Sequence, residues 1–197
     1  MNTIYDFLVK PVDNNRYNNI KKIGDKELIL NTEVFNHKFV NREAVVLAVP
    51  SAYKTKIKVG DKVLVNHNVF RRMHNMKGEE INSRSYYKEN QYFIRLDQLY
   101  MYNDGSGWKA LSGWCFVKPI LNTNTFEKDK EQPLVGIVKY TDGTVKKGDL
   151  VGFSPESEYE FVVDGQRLYR VYSKFITIKY EYQGNEKEYN PRWAQSS

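Results

Sequence analysis

The side chains that could bind a metal ion or act as nucleophiles are few in this sequence. His37, His67 and His74 are the only histidines, and Cys115 is the only cysteine. No cysteine or acidic residue accompanies His67 and His74 at a spacing typical of zinc ligands. A single thiol excludes an intrachain disulfide and is typical of a reducing compartment. We therefore expect no metal ion and no cofactor.

The sequence motifs of common enzyme classes are absent. There is no Gly-x-Ser-x-Gly motif, no P-loop and no dinucleotide-binding fingerprint. Gly105-Ser106-Gly107 comes nearest to the last of these, but it lacks the third glycine and follows no βαβ pattern. We predict that the protein is not an enzyme and has no catalytic residues.

Residues 66–90 hold part of the basic excess of the chain. The five cations of this segment are Arg71, Arg72, Lys77, Arg84 and Lys88, with Phe70, Tyr86 and Tyr87 between them. Cations can contact phosphates and aromatic rings can stack on bases, so one interpretation is a nucleic-acid surface. The interleaved Glu79, Glu80 and Glu89 weaken the positive field, which favours the other interpretation, a solvated hairpin or a subunit contact.

Composition favours a soluble β-protein. The chain has 197 residues, of which 41% are hydrophobic and 14% aromatic, in short runs rich in β-branched residues. No apolar run approaches the roughly 18 residues of a membrane helix, and Met1–Lys10 does not resemble a signal peptide. The net charge of +6 lies in residues 1–100, with 17 basic against 11 acidic residues, whereas residues 101–197 have 13 of each.

An internal repeat explains this asymmetry. Matching blocks are offset by 108, 88, 88 and 76 residues, so the first copy is predicted to hold 20 and then 12 additional residues. The blocks are Leu8–Val12 with Phe116–Ile120, Ala44–Val49 with Gln132–Ile137, Ile57–Val65 with Val145–Phe153, and Ile94–Tyr100 with Arg170–Ile176. Asp61 and Asp149 follow Gly60 and Gly148 at equivalent places, which predicts two turns and no shared carboxylate site.

The repeat predicts two all-β domains in tandem. The polar stretch Asn103–Gly107 suggests a boundary that divides residues 1–103 from 104–180, and residues 181–197 form a polar tail that frays unless its aromatics dock. Asp164-Gly165 lies between two alternating runs, which predicts a β-hairpin with a type I′ turn. Each copy is expected to form about five to seven short antiparallel strands in a small barrel.

The order of these blocks resembles the GroES-type co-chaperonin family, over residues 4–102 and again over 112–180. Arg42–Val49 and Ile57–Val63 carry the closest likeness, and Lys26–Thr32 lies where that family has a mobile loop. The resemblance implies two GroES-like barrels, a homo-oligomeric ring, and a GroEL-type chaperonin as partner. It also implies that Leu28, Ile29 and Leu30 bind this partner to assist protein folding in the cytoplasm of a bacterial host.

Alternatives remain open at this stage. Leu28–Leu30 could be an ordinary buried strand, because Lys26-Glu27 replaces the glycine pair that makes the family's loop flexible. The barrels could also serve as a structural ring in a phage virion, in contact with other virion proteins. The composition, rich in Asn, Lys, Tyr and Ile, fits an AT-rich phage genome. A basic barrel that binds nucleic acid is the third reading.

Overall fold

The computed structural model describes residues 2–18, 20–23, 26–29, 39–122, 130–181 and 186–195. The chain divides into two compact units, Met1–Trp108 (unit 1) and Lys109–Ser197 (unit 2). Both consist of antiparallel β-sheet, and the described ranges add only short 3₁₀ turns and a four-residue helix, Arg192–Gln195. The predicted all-β class is confirmed.

The first large sheet has seven strands in the order β11-β10-β5-β4-β1-β9-β8, of which all but β11 lie wholly in unit 1, and unit 1 also contains two separate hairpins, β2–β3 and β6–β7. The strands are β1 Phe7–Pro11, β2 Ile20–Ile23, β3 Lys26–Ile29, β4 Glu43–Ala48, β5 Lys62–Val65, β6 Met73–His74, β7 Glu80–Ile81, β8 Tyr86–Lys88, β9 Gln91–Ile94, β10 Leu99–Asn103 and β11 Trp108–Ala110.

Unit 2 is built on a six-stranded sheet of order β15-β16-β12-β13-β14-β17. Its strands are β12 Trp114–Leu121, β13 Glu131–Tyr140, β14 Leu150–Phe153, β15 Tyr159–Val163, β16 Gln166–Tyr172 and β17 Ile176–Tyr180. Val117, Val138, Val151, Phe153 and Val171 form a buried core cluster. In the described part of the chain, neither large sheet closes on itself.

Six strands have the same order in both units. The series β10-β5-β4-β1-β9-β8 of unit 1 corresponds to β17-β14-β13-β12-β16-β15 of unit 2. The pairing is irregular at equivalent places as well, between Leu8 and Val9 in unit 1 and between Phe116 and Val117 in unit 2. The two sheets therefore share strand order and local irregularity.

The strand register corrects one of the predicted alignments. Val9 pairs with Val46, and its equivalent Val117 pairs with Val138, so the second strands are offset by 92 residues. The predicted match of Ala44–Val49 with Gln132–Ile137 is therefore wrong by four residues. The reason is that β13 spans ten residues, and the short apolar run within a strand of that length does not determine which of its residues are paired.

The closing strands need a correction of one residue. Phe7 pairs with Ile94, and its equivalent Cys115 pairs with Val171, which makes the offset 77 instead of 76. This single step decides which side chains face the core, because alternate residues of a strand point to opposite faces. Compared with unit 2, unit 1 therefore has 16 more residues between β1 and β4. It has four more between β4 and the Gly-Asp turn, and 11 more between that turn and β9.

The Gly-Asp turns have the same structure in both units. Gly60 and Gly148 have φ values of +93° and +90°, a region that glycine adopts without strain. The carboxylates close the turns, since Asp61 accepts a hydrogen bond from the Lys58 N–H at 2.8 Å and Asp149 accepts one from the Lys146 N–H at 2.9 Å. The predicted turn role of both aspartates is confirmed.

The predicted hairpin around Asp164-Gly165 is also confirmed. Both residues have positive φ, +48° and +69°, as a type I′ turn requires. The flanking strands pair in register from Val163–Gln166 outward to Tyr159–Arg170.

The division of the chain differs from the predicted domain limits 1–103 and 104–180. Asn103–Gly107 is a turn between β10 and β11, in which the Asn103 side-chain oxygen accepts hydrogen bonds from the Gly105 and Gly107 N–H groups. The structure divides the chain after Trp108. Within the predicted tail 181–197, residues 186–190 hydrogen-bond to other parts of unit 2 and the Ala194 side chain is fully buried.

Candidate partner-binding site

The loop predicted to bind a partner begins and ends at a closed neck in unit 1. Tyr17 and Val40 form an antiparallel bridge, and both are buried. On either side of the bridge, the Asn18 N–H donates to the Phe39 carbonyl at 2.7 Å and the Asn41 N–H donates to the Arg16 carbonyl at 2.9 Å. The chain between the two sides of the neck is therefore held at both ends.

Asn41 fixes the base of this neck. Its side chain is almost fully buried, and its amide donates to the carbonyls of Val12 and Asn15 at 3.2 and 2.9 Å. Its side-chain oxygen accepts the Glu43 N–H at 2.9 Å, at the first residue of β4. One polar side chain thus satisfies backbone groups on both limbs of the loop.

Within the loop, β2 and β3 form a two-stranded hairpin that pairs with neither large sheet. Leu28 pairs with Lys21 in this hairpin, and its side chain is 51% exposed. The alternative of a buried strand therefore does not hold for Leu28. The Ile29 side chain and the whole of Leu30 lie outside the described residues.

The neck contacts the basic segment 66–90. The Arg16 guanidinium donates to the Phe70 carbonyl at 2.9 Å, and the Tyr17 hydroxyl accepts the Arg72 N–H at 2.8 Å. The two longest insertions of unit 1, before β4 and before β9, therefore meet at the base of the loop. Sequence reasoning missed this contact, since nothing in the spacing of Arg16 and Phe70 indicates it.

The five cations of the basic segment have different surroundings. Arg72 forms an ion pair with Glu80 at 3.4 Å, and Lys88 lies 5.8 Å from the ring centroid of Tyr87. Lys77 and Arg84 are exposed and have no carboxylate partner among the described residues. Arg71 is half-buried, and its carbonyl accepts a hydrogen bond from Arg16.

The other candidate residues are not assembled into a reactive site in the described part of the chain. No three His, Cys, Asp or Glu side chains come together there as metal ligands, and His37 lies outside it. Cys115 is fully buried, with its Sγ 3.4 Å from the Ser173 Oγ and 3.6 Å from the Thr141 Oγ1. This placement fits a structural thiol.

A charged cluster in unit 2 was not foreseen from the sequence. The Arg167 guanidinium forms ion pairs with Glu131 at 2.5 Å and with Glu160 at 2.7 Å, and donates to the Tyr169 hydroxyl at 2.6 Å. The Tyr169 hydroxyl in turn donates to Glu131 at 2.7 Å. Burial raises the pKa of Tyr169, and its hydrogen bond to Glu131 raises it further. We call these four residues the Arg167 cluster.

The C-terminal residues cover this cluster. The ring centroids of Tyr189 and Trp193 both lie 5.9 Å from the Arg167 guanidinium carbon. The Asn190 side chain accepts the Arg167 N–H and donates to the Gly165 carbonyl, each at 3.0 Å. The only signal of this docking in the sequence is the presence of aromatic residues in an otherwise polar tail.

Comparison with known proteins returns no match for this chain, either to a family model or to a curated protein. No helix in the described ranges is long and apolar enough to cross a membrane.

Proposed function

We propose that this chain is a co-chaperonin-like protein without enzymatic activity that caps a GroEL-type chaperonin and assists protein folding. Its two units would be GroES-like barrels arranged in a homo-oligomeric ring, and Leu28, Ile29 and Leu30 would be the anchor in the chaperonin. The observation that carries the proposal is the exposed Leu28 side chain, on a hairpin of unit 1 that pairs with neither large sheet and follows a closed neck.

The physical basis is a weak apolar contact repeated around a ring. Burying one leucine side chain contributes about 1.5–3 kcal/mol, and ordering the loop opposes part of this gain. Several loops that bind one chaperonin ring simultaneously convert weak sites into high avidity. Unit 2 has only residues 122–130 at the equivalent place, so we assign the contact to unit 1 alone.

Binding to purified chaperonin in the presence of nucleotide tests the proposal. Replacing Leu28, Ile29 and Leu30 together by Ser is expected to weaken capping more than about a hundredfold, because each site loses its apolar anchor and avidity multiplies the loss. Leu96→Ser is the matched control, since Leu96 is also 51% exposed in unit 1. Unchanged capping by the triple variant, or an equal loss in the control, would contradict the proposed anchor.

A further inference from the structure

Residues 186–195, which we call the C-terminal strap, bind unit 2 in the way that an extended peptide binds a sheet. Glu188 forms an antiparallel bridge with Ile120 near the end of β12. Two backbone hydrogen bonds of 2.8 Å flank the bridge, one on each side. The pairing of β12 with β16 runs from Trp114 to Val117, and the strap pairs with the part of β12 that follows. Addition of a strand in this manner is a common mode of peptide recognition.

An ion pair makes this backbone pairing selective. Lys118 of β12 is only 7% exposed, and its ammonium group contacts the Glu188 carboxylate at 2.5 Å. A buried ammonium group without a counter-ion is costly, so this part of β12 requires an acidic residue beside it. The strap supplies that residue.

The second half of the strap contacts the turn between β15 and β16. The Asn190 side chain accepts the Arg167 N–H and donates to the Gly165 carbonyl, each at 3.0 Å. The ring centroids of Tyr189 and Trp193 lie 5.9 Å from the Arg167 guanidinium carbon. We call residues 118–121, Gly165 and Arg167 together the strap site.

The corresponding place in unit 1 is covered by a different part of the chain. Tyr92 and Tyr169 are equivalent by register, and an arginine lies above each ring, Arg16 at 5.8 Å and Arg167 at 5.0 Å. Arg16 donates to acceptors in the segment 66–90, which runs from β5 to β9 in the chain. The strap instead follows all six strands of the unit 2 sheet. Movement of the strap therefore displaces no strand of unit 2.

The strap pairs with a strand that is remote from the one before it in the chain. The chain leaves the sheet at Tyr180 of β17, and the strap pairs with β12, which is separated from β17 by β13 and β14. Only residues 181–185 connect the two. A short connection favours exchange of the connected segment between copies, because a second copy provides the same contacts by another route. Within an oligomer, the strap of a neighbouring copy also has a high effective concentration.

From these contacts we propose that the strap site takes the C-terminal strap of a second copy of this chain, as it takes the chain's own strap in the single copy. The Lys118–Glu188 ion pair and the contacts with Arg167 then join two copies. Each copy both gives and receives a strap, because site and strap belong to one chain. The inference rests on the homo-oligomer of the proposed function and is independent of a chaperonin as partner.

Disulfide trapping in the full chain tests the exchange. Ile120 and Glu188 are a non-hydrogen-bonded pair of antiparallel segments, whose Cα atoms are about 4.5 Å apart, within the range that a disulfide requires. Chains with Ile120→Cys and chains with Glu188→Cys are refolded together from urea and oxidised. Exchange should produce a disulfide-linked dimer that contains one chain of each variant, with twice the mass of the single chain.

Each variant oxidised alone is the control for random cross-linking, and Cys115 stays out of reach because it is fully buried. The chain with both substitutions reports on the docking itself, and exchange predicts that it forms covalent multimers. A disulfide closed within single chains of this double variant, without a mixed dimer from the two single variants, would overturn the exchange. Absence of any disulfide in the double variant would overturn the docking of the strap on β12.

Charge reversal provides a second measure. Lys118→Glu and Glu188→Lys each place like charges together, so each should accelerate proteolysis after residue 181 about tenfold. Mixing the two variants should restore protection, because each strap site then meets a strap of opposite charge from the other variant. Equally fast cleavage of the mixture, while the chain with both substitutions is protected, would contradict the exchange. If that chain is also cleaved quickly, disulfide trapping decides alone.

The outcomes separate this inference from the proposed function. An oligomeric wild type that yields no mixed dimer contradicts the exchange alone, whereas a monomeric wild type contradicts the homo-oligomer as well. Failure to cap a chaperonin leaves the exchange intact, since none of these measurements uses a chaperonin.

Discussion

At the scale of single residues, the two arginines above equivalent tyrosines have different roles. Arg167 is a partly buried cation with two carboxylate partners, and its charge is balanced within unit 2. Such a cluster adds little net stability compared with apolar residues of the same volume, but breaking it leaves uncompensated charges in a poorly solvated place. We therefore regard the Arg167 cluster as structural, whereas Arg16 joins the neck to backbone carbonyls of the segment 66–90.

Arg167→Gln should lower the free energy of unfolding of unit 2 by about 2–4 kcal/mol, because Glu131 and Glu160 lose their cation. Urea unfolding followed by tryptophan fluorescence measures this loss. Lys179→Gln is the control, since the Lys179 side chain is 58% exposed, so that its ion pair with Asp149 should contribute less than about 1 kcal/mol. If the two substitutions lower the free energy of unfolding equally, burial of the Arg167 cluster does not increase its contribution to stability.

Asp142 should make unit 2 sensitive to acid. Burial raises the pKa of its carboxyl, but hydrogen bonds from Thr144, the Gly113 N–H and the Ser173 hydroxyl outweigh this effect and lower the pKa. The resulting stabilisation is present above the unfolded-state pKa of about 4 and is lost as the pH falls through the lower folded-state pKa.

Asp142→Asn should therefore reduce stability at pH 7 and flatten its decline between about pH 5 and pH 2. The urea midpoint of wild type and variant, measured across this range, provides the comparison. A decline that is equally steep in both proteins would assign the acid sensitivity to other carboxylates.

At the scale of elements, the segment 186–190 forms an antiparallel bridge with β12, between Glu188 and Ile120. The Leu121 N–H donates to the Lys187 carbonyl and the Tyr189 N–H donates to the Pro119 carbonyl, both at 2.8 Å. Lys118, only 7% exposed, pairs its ammonium with Glu188 at 2.5 Å. The segment thus satisfies backbone groups at the end of β12 and neutralises a buried cation.

Asn190→Ala should detach this segment. The Arg167 N–H loses its acceptor and the Gly165 carbonyl loses its donor, at a cost of about 1–3 kcal/mol. Limited proteolysis should then cleave the chain after residue 181 faster than in wild type, and Trp193 fluorescence should shift to the red. Gln195→Ala, which removes an exposed hydrogen bond to the Asn190 carbonyl, is the control and should leave the cleavage rate unchanged.

At the scale of the whole molecule, the two sheets differ at one edge. In unit 1, the Met101 side chain of β10 is fully buried. In unit 2 the equivalent strand, β17, is the last strand of the sheet, and Ile178 at the position of Met101 is 49% exposed. An edge strand with exposed apolar side chains favours pairing with another chain, which supports the proposed ring.

Ile178→Lys should dissociate the proposed ring, because a charge on the edge strand opposes strand pairing. Native mass spectrometry of wild type and variant measures the oligomeric state directly. Leu96→Lys, at a residue of similar exposure in unit 1, should leave the oligomer intact. A wild-type protein that is monomeric at micromolar concentration would contradict the ring itself.

Local features of the fold could be predicted and long-range ones could not. The turns at Gly60 and Gly148 and the hairpin at Asp164-Gly165 depend on backbone conformations that glycine and aspartate favour by themselves. Exposure of Leu28 depends on whether a neighbouring sheet covers the hairpin, and no pattern within residues 26–29 indicates that. The candidate anchor could be named from the sequence, but its surroundings could not.

The amino-acid sequence by itself determined the all-β class and the positions of the tight turns, because strand alternation and turn conformation are properties of neighbouring residues. Only the tertiary structure decided the register of β4 and β9, the hydrogen bonds of Arg16 and Tyr17 with residues 70–72, and the docking of the C-terminal segment on Arg167. These depend on contacts between side chains and backbone groups many residues apart. Such contacts have no common sequence pattern, because many different residue pairs satisfy the same hydrogen-bonding and packing requirements.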